Sequence, residues 1–433
     1  MVAGTNGKGS TSAFLSNILH SHGLKVGLFT SPHVVSLAES FRVNGVPLAE
    51  DVIADHGMKF MNLYGQLDSV IPLTGFEIQV LLAADLLKNE RCDFAVFEVG
   101  LGGRDDGVNA LNSWFSIAVL TTMGLDHQAQ LGNTLESIIS HKTGVCKEKC
   151  PVVVGRQERD GAEELLLSAI EYQKSSPCLM YGRDFDIDTI TLPTNWNTLP
   201  FSAHAATAIQ AAQIVLDQQK TVVGQQQLSP NKNVKAFGKH LAHEAVRRTR
   251  WPCRGWDERF VTLPGVCPHS GKHKKVTMIF DAAHNADGLK ILSSNIRHRI
   301  EQNRDSSQLV HAVVFGAMGD KLTQGGDMIE AFVEFRKSVG DVQFYGALVD
   351  PRVNDRAADR ETLETFFKSA GIQNAVYGGV QDLFTGFHYV LDANDSNQSE
   401  EFRVLVCGSL FLLREVFQVC NVPAPLAIYD ADA

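Results

Sequence analysis

The sequence predicts an α/β protein of two domains, each built on a mainly parallel sheet covered on both faces. Three observations carry this reading. The chain has 433 residues, more than one ordinary core accommodates, so two domains of roughly 200 residues each are expected. Runs such as 94–98 (FAVFE) and 117–120 (IAVL) are continuously apolar rather than alternating, the pattern of strands buried on both faces. Segments with apolar residues at helical spacing separate them.

The elements follow in order. A glycine-rich loop at 4–10 opens a helix at 11–20 (TSAFLSNILH), and a short strand follows at 25–30. Helical spacing at 76–88 leads into the strand at 94–98, and another strand runs over 117–120. The stretch 198–250 is helical and polar, with a glutamine run at 225–227. Composition breaks at 247–252 (RRTRWP), and 263–275 reads as an exposed hairpin or loop. Strands recur at 276–280, 310–315, 342–345 and 404–407, and 393–401 is a solvated loop. No internal repeat is found. The domains are placed at 1–248 and 249–433.

Composition narrows the function. Hydrophobic residues make up 44% and charged residues 20% of the chain, the balance of a soluble globular protein. A net charge of −10 argues against a general nucleic-acid or anionic-membrane partner, while a local cationic site still suits an anionic substrate. The eight cysteines are scattered, and Cys146 and Cys150 lack the partners a zinc site needs. A reducing, cytoplasmic compartment fits. No apolar run is long enough to span a bilayer, and no leader precedes the loop at residue 4.

The sharpest local signal is Gly4-Thr5-Asn6-Gly7-Lys8-Gly9-Ser10-Thr11. Glycines free the backbone to wrap phosphate oxygens, and the helix start offers unpaired N–H groups and a positive dipole end. Lys8 would reach the terminal phosphates and Ser10 would hold Mg²⁺. The strict loop pattern wants Ser or Thr directly after Lys, and Gly9 intervenes; an ordinary strand-to-helix turn is the competing reading. Glu98 ends an apolar strand and precedes VGLGGR. A carboxylate there faces the crevice of a parallel sheet and suits a hard cation; a solvated strand-end glutamate is the alternative. His127, in GLDH just past the next strand, projects from the same edge, although a lone histidine is more often a satisfied polar residue. Lys142 alone reads as a surface lysine. In the second domain Asp281, in FDAAHN, would accept from ribose hydroxyls or order its loop, or else cap a helix.

Taken in order, these segments resemble the folylpolyglutamate synthase/dihydrofolate synthase family, a branch of the Mur-ligase-like amide synthases. The matching blocks are VAGTNGKGST (2–11), FTSPH (29–33), ESFRVNG (39–45), LTGFE (73–77), EVGLGGRDD (98–106), GLDHQAQLG (124–132), HKTGV (141–145), WPCR (251–254), FDAAHN (280–285), FGAMGDK (315–321) and VCGSL (406–410). The resemblance implies a P-loop nucleotide-binding domain followed by a Rossmann-like C-terminal domain, with ATP between them and closure assembling the site. It implies ATP-dependent ligation of L-glutamate to a folate through an acyl phosphate, with dihydrofolate synthase activity possible in addition. By residue, it places Gly4, Thr5, Asn6, Gly7, Lys8, Gly9, Ser10, Thr11, Arg254, Asp281 and His284 on ATP. Ser10, Ser31, Glu98 and His127 would hold Mg²⁺, a monovalent cation being a further ligand. Thr74, Phe76 and Asp106 would line the pterin side. Lys8, His127 and Lys142 would be catalytic, Lys142 as the lysine that the family carbamylates.

Departures accompany the match. Members carry several dozen residues before the loop, whereas here Met1-Val2-Ala3 precede it; the resemblance therefore implies an N-terminally truncated chain, and a mitochondrial form if a leader is missing. Ser40 stands in place of a common arginine, Gly107-Val108 in place of Ala-Thr, Cys253 in place of the glycine of WPGR, and His204 in place of a common asparagine near the adenine. The expected partners are folate and L-glutamate, with no nucleic acid or membrane, acting on a monomer. Two other readings stay open: a Mur-type peptide ligase, and a truncated, non-catalytic folate- or nucleotide-binding protein.

Overall fold

Short, continuously apolar strands joined by helices fold into two units, whose contacts divide the chain into Met1–Trp251 with Pro425–Ala433, and Pro252–Ala424. The computed structural model describes all residues except 66–71, 188–198, 223–233, 256, 266–270, 272, 303–308, 324–325, 353, 394–401, 424–426 and 430–433. The glutamine run at 225–227, part of the 263–275 loop and nearly all of the 393–401 stretch lie outside the described residues.

The first unit comprises β1 (Val2–Ala3), α1 (Lys8–Ser21), β2 (Val26–Phe29), β3 (Phe41–Val43), β4 (Val46–Pro47), α2 (Glu50–Tyr64), α3 (Gly75–Asn89), β5 (Phe94–Phe97), β6 (Ala118–Leu120), α4 (Gln128–Leu131), α5 (Leu135–Thr143), β7 (Val152–Val154), α6 (Ala162–Tyr172), β8 (Cys178–Met180), α7 (Leu199–Val222) and α8 (Lys239–Arg248). Strands β1, β6, β7 and β8 form one parallel sheet in that order; β4, β3, β2 and β5 form another, in which β3 runs antiparallel to both neighbours. A parallel bridge between Val2 and Glu98, with Val99 N–H donating to the Val2 carbonyl at 2.9 Å, joins the edges β5 and β1. The two residues of β1 thus sit between strands on either side. Phe14, Leu15, Ile18 and Leu19 of α1 pack with Ala205, Ala208, Ala211 and Ala212 of α7 in one core cluster, small residues letting the helices approach closely. Val80, Ala83, Leu86 and Leu87 of α3 belong to a second cluster with Phe29, Phe97 and Leu120. Both faces of the sheet are covered, as the sequence predicts.

The end of the chain departs from the expected division at residue 249. Ile428 and Tyr429 are buried in the first unit's core. Ile428 N–H donates to the Gly45 carbonyl at 3.0 Å, Arg250 N–H to the Ile428 carbonyl at 2.7 Å, and the Tyr429 hydroxyl bonds Ser16 Oγ at 2.8 Å. Two large apolar side chains find burial there that a solvated tail would deny them.

The second unit comprises β9 (Asp257–Thr262), β10 (Lys275–Asp281), α9 (Ala286–Gln302), β11 (Ala312–Phe315), α10 (Gly319–Thr323), α11 (Gly326–Val339), β12 (Gln343–Ala347), α12 (Arg360–Ser369), β13 (Val376–Gly378), α13 (Val380–Ala393), β14 (Arg403–Cys407) and α14 (Leu410–Val419). Its sheet has the order β13-β12-β11-β14-β10-β9, parallel except for β9, which pairs antiparallel with β10. The antiparallel pairing of β9 with β10 extends to Leu263, whose N–H donates to the Lys274 carbonyl at 2.9 Å. Phe315, Phe332, Phe335, Phe344, Phe366 and Phe367 fill the core on one side of this sheet. Among the described residues no helix is long and apolar enough to cross a membrane, and the seven cysteines among them are free thiols.

Candidate active site

The glycine-rich loop lies between β1 and α1, and two of its glycines, Gly4 and Gly7, are sterically required. At Gly7, with φ 86°, any Cβ would meet the His204 ring at 2.2 Å; at Gly4 it would meet Thr121 Oγ1 at 1.9 Å. The threonines after β6 brace the loop. Thr5 N–H donates to the Thr122 carbonyl at 2.8 Å, the Thr5 hydroxyl to the Gly124 carbonyl at 3.1 Å, and Gly124 N–H to Thr5 Oγ1 at 3.0 Å. Gly7 caps α1 with no side chain, and the first turn holds no acidic residue, so the helix start keeps its N–H groups and positive dipole end for an anion. Lys8 Nζ folds back onto the carbonyls of Gly4 and Thr5, 3.1 Å from each. Ser10 and Thr11 are buried in the first turn.

Glu98 and Ser31 follow the adjacent parallel strands β5 and β2, so both emerge at the same sheet edge as the loop. Ser31 N–H donates to Glu98 Oε2 at 3.2 Å, and Glu98 is buried. On the loop after β6, His127 adopts a left-handed φ of 53°, an uncommon conformation for a residue with a side chain and one that clusters at functional sites. Its N–H donates to Asp126 Oδ1 at 2.7 Å, and its Nε2 lies 4.0 Å from Asp126 Oδ2. Lys142 corrects the surface-lysine reading: it is 3% exposed, and its Nζ donates to the Gly4 carbonyl at 2.8 Å. Lys8 and Lys142 thus meet on one carbonyl oxygen.

The residues that the resemblance assigns to a pterin, Thr74, Phe76 and Asp106, have structural partners as well. Thr74 caps α3 in a capping box: Glu77 N–H donates to Thr74 Oγ1 at 3.2 Å, while Thr74 N–H and hydroxyl each donate to Glu77 Oε2 at 2.7 Å. The Phe76 ring stands 6.1 Å from that of Phe29 and covers Gly100, where a Cβ would meet it at 2.5 Å. Asp106 accepts from Leu101 N–H at 2.8 Å and Val108 N–H at 2.9 Å. Burial raises its pKa, opposed by these bonds and by the charge of Lys8, which places the carboxylate within electrostatic reach of the glycine-rich loop.

In the second unit the WPCR and FDAAHN blocks meet. The Cys253 carbonyl accepts from Ala282 N–H at 2.9 Å and from Arg254 Nη1 at 3.0 Å, which sets Arg254 beside the loop of Asp281 and His284. Asp281 Oδ1 accepts from Ala283 N–H at 2.9 Å, so it orders its own loop. The helix-cap alternative is corrected, because Asn285 Oδ1 takes that role toward Gly288 N–H at 2.8 Å, directly before α9. His284 Nδ1 lies 2.8 Å from the Ala282 carbonyl.

Comparison with known proteins fits this geometry. The family model of the Mur ligase middle domain matches residues 2–154, the span that holds the loop, Ser31, Glu98, His127 and Lys142. The dihydrofolate synthase/folylpolyglutamate synthase of Haemophilus influenzae is 30% identical over 309 residues, which cover 68% of this chain and 64% of that protein. The protein of that name from Escherichia coli is 28% identical over 433 residues, covering 97% of this chain and 86% of the relative. The structure of Escherichia coli FolC in complex with DHPP and ADP superposes with a TM-score of 0.69 at 25% identity, over 97% of this chain and 87% of that one. The chain is similar to the folylpolyglutamate synthase/dihydrofolate synthase family along nearly its whole length, and it spans just under two thirds of the Haemophilus relative. Several residues that support this site carry weaker signals in the sequence. Thr121 and Thr122 brace the loop, and their signal was a TT pair directly after an apolar strand. Gly103 lets the 100–104 turn lie on the Lys142 backbone, since a Cβ there would sit 2.7 Å from the Lys142 carbonyl. Arg104 N–H donates to the His141 carbonyl at 2.7 Å, and the double glycine before it was the readable cue.

Proposed function

We propose that this chain is a folylpolyglutamate synthase, an ATP-dependent ligase that joins L-glutamate to the γ-carboxylate of a folate. Joining glutamate to dihydropteroate is proposed as a second reaction of the same site. The observation that carries the reading is the meeting of two lysines, Lys8 and the buried Lys142, on the carbonyl of Gly4 in an uncapped phosphate loop. A carboxylate oxygen of the folate attacks the terminal phosphorus of ATP, the bond to the bridging oxygen breaks and ADP leaves. The glutamate amine then attacks the carbonyl carbon of the acyl phosphate, inorganic phosphate departs, and the amine's proton passes to solvent. Such chemistry rests on positioning and charge neutralisation. The amide groups at the start of α1 and the Lys8 ammonium supply both to the phosphates.

The donor set fits Mg²⁺. Among the described residues no three His, Cys, Asp or Glu side chains are arranged to hold a metal ion, and a cation that keeps most of its water and phosphate ligands needs only one or two carboxylates. Glu98, with Ser31 beside it, would hold it, and Ser10 and His127 complete the proposed set; when bound it neutralises phosphate charge. A buried cation is costly, and carbamylation of Lys142 would replace it with an anionic oxygen donor for the same cation. Thr74, Phe76 and Asp106 are assigned to the pterin side, and Arg254, Asp281 and His284 to ATP, on the family resemblance. The enzyme acts as a monomer in a reducing compartment such as the cytoplasm. ADP release should require folate and glutamate together; release driven equally by a peptide acceptor would turn the reading toward a Mur-type ligase.

A further inference from the structure

His204 of α7 turns its imidazole onto the phosphate loop. A Cβ built on Gly7 would lie 2.2 Å from His204 Cε1 and 2.3 Å from its Nε2, so the polar edge of the ring faces the turn that opens α1. The residue is 7% exposed, and among the described residues neither ring nitrogen has a hydrogen-bond partner. Phe201 stands edge-on to it with centroids 6.3 Å apart. Neither Gly7 nor Phe201 titrates, and Lys8, next along the loop, aims its ammonium at the carbonyls of Gly4 and Thr5. Thr207, one turn further along α7, gives its hydroxyl to the Ala203 carbonyl at 2.7 Å.

This ring occupies an environment whose charge reverses when the loop fills. With no anion bound, the positive end of α1 and the dry surroundings oppose an imidazolium. A phosphate in the loop places negative charge beside the same ring and favours its protonated form. We propose that His204 is a nucleotide-linked proton site: binding of a nucleoside phosphate in the loop draws one proton from solvent onto the imidazole, which then stands with Lys8 as a second cation beside the anion. The proposal rests on the reading of residues 4–11 as a nucleotide loop.

The sign follows from the free state. Burial pushes the His204 pKa down to about 4, so the ring is neutral near neutral pH before nucleotide binds. If the bound form titrates in the ordinary histidine range near ~6.5, protons are taken up on binding between the two values. Affinity then rises as pH falls, by about ten-fold between pH ~7.5 and ~5.5.

The test is calorimetry of the full chain with Mg-ADP at a pH near ~6.5, in two buffers of different ionisation enthalpy. The expected result is uptake of about half a proton at the assumed pKa, absent in His204→Asn, whose ADP affinity loses the ten-fold pH dependence. The terminal phosphate of ADP titrates in the same range, so the difference between wild type and variant is the quantity read. His204→Gln, checked for an unchanged melting temperature, repeats the measurement should the asparagine variant fail to fold. Equal uptake and an equal pH slope in wild type and variant overturn the proposal while leaving the nucleotide loop intact. No ADP binding by the folded wild type overturns the loop reading and the proposal with it.

Discussion

The Lys8 ammonium rests on two backbone carbonyls, which a bound phosphate can outcompete. Lys8→Ala should therefore lower turnover about 10²–10³-fold, the scale of losing one preorganised charge contact in a transition state. Its melting temperature should stay that of wild type, and turnover retained by the folded variant contradicts the loop assignment. Glu98 is a buried carboxylate at this edge, so Glu98→Gln should shift the Mg²⁺ titration of activity to higher concentration. An unchanged titration removes Glu98 from the metal site. Lys142 shows where residue-level reading from sequence stops. A lysine in a helix of mixed composition looks solvated, and only the tertiary return of α5 to Gly4 reveals its burial. Family resemblance singled it out before any physical argument from its own segment could.

At the scale of elements, the strands with continuous apolar runs were legible because burial on both faces leaves no place for polar alternation. β2, β5, β6, β10, β11, β12 and β14 fall where the sequence places them. The unread strands have physical reasons. β1 has two residues, too short for any periodicity. β9 is an edge strand with the polar sequence DERFVT and mostly accessible side chains, so it carries no hydrophobic signal. The start of α3 shows one residue in two roles. Thr74 is assigned to the pterin side and also closes the capping box with Glu77. Thr74→Ala should cost about 1 kcal/mol of stability through the lost cap alone, measured by urea unfolding. A variant that unfolds at the wild-type midpoint would mean that the cap contributes nothing.

For the whole molecule, the chain's last described residues are part of the first unit's core rather than an appendage of the second. Sequence could not show this, because an Ile-Tyr pair near a terminus has no periodicity and its partners are hundreds of residues away. Tyr429→Phe leaves buried Ser16 without its 2.8 Å partner and should destabilise the protein by about 1–2 kcal/mol. Shortening the chain to residue 424 should cost more, since it also exposes the surface that Ile428 and Tyr429 cover. Equal unfolding midpoints for the shortened and full chains would contradict that account. Above these details stands the claim that one site joins glutamate to a folate at the expense of ATP. Its most direct test is incorporation of labelled glutamate by the purified chain with ATP and Mg²⁺, offered tetrahydrofolate and dihydropteroate in parallel. The account predicts incorporation with tetrahydrofolate that vanishes without ATP and falls about 10²–10³-fold in Lys8→Ala, and further incorporation with dihydropteroate from the second activity. No incorporation with either acceptor, from chain shown to be folded, would contradict it.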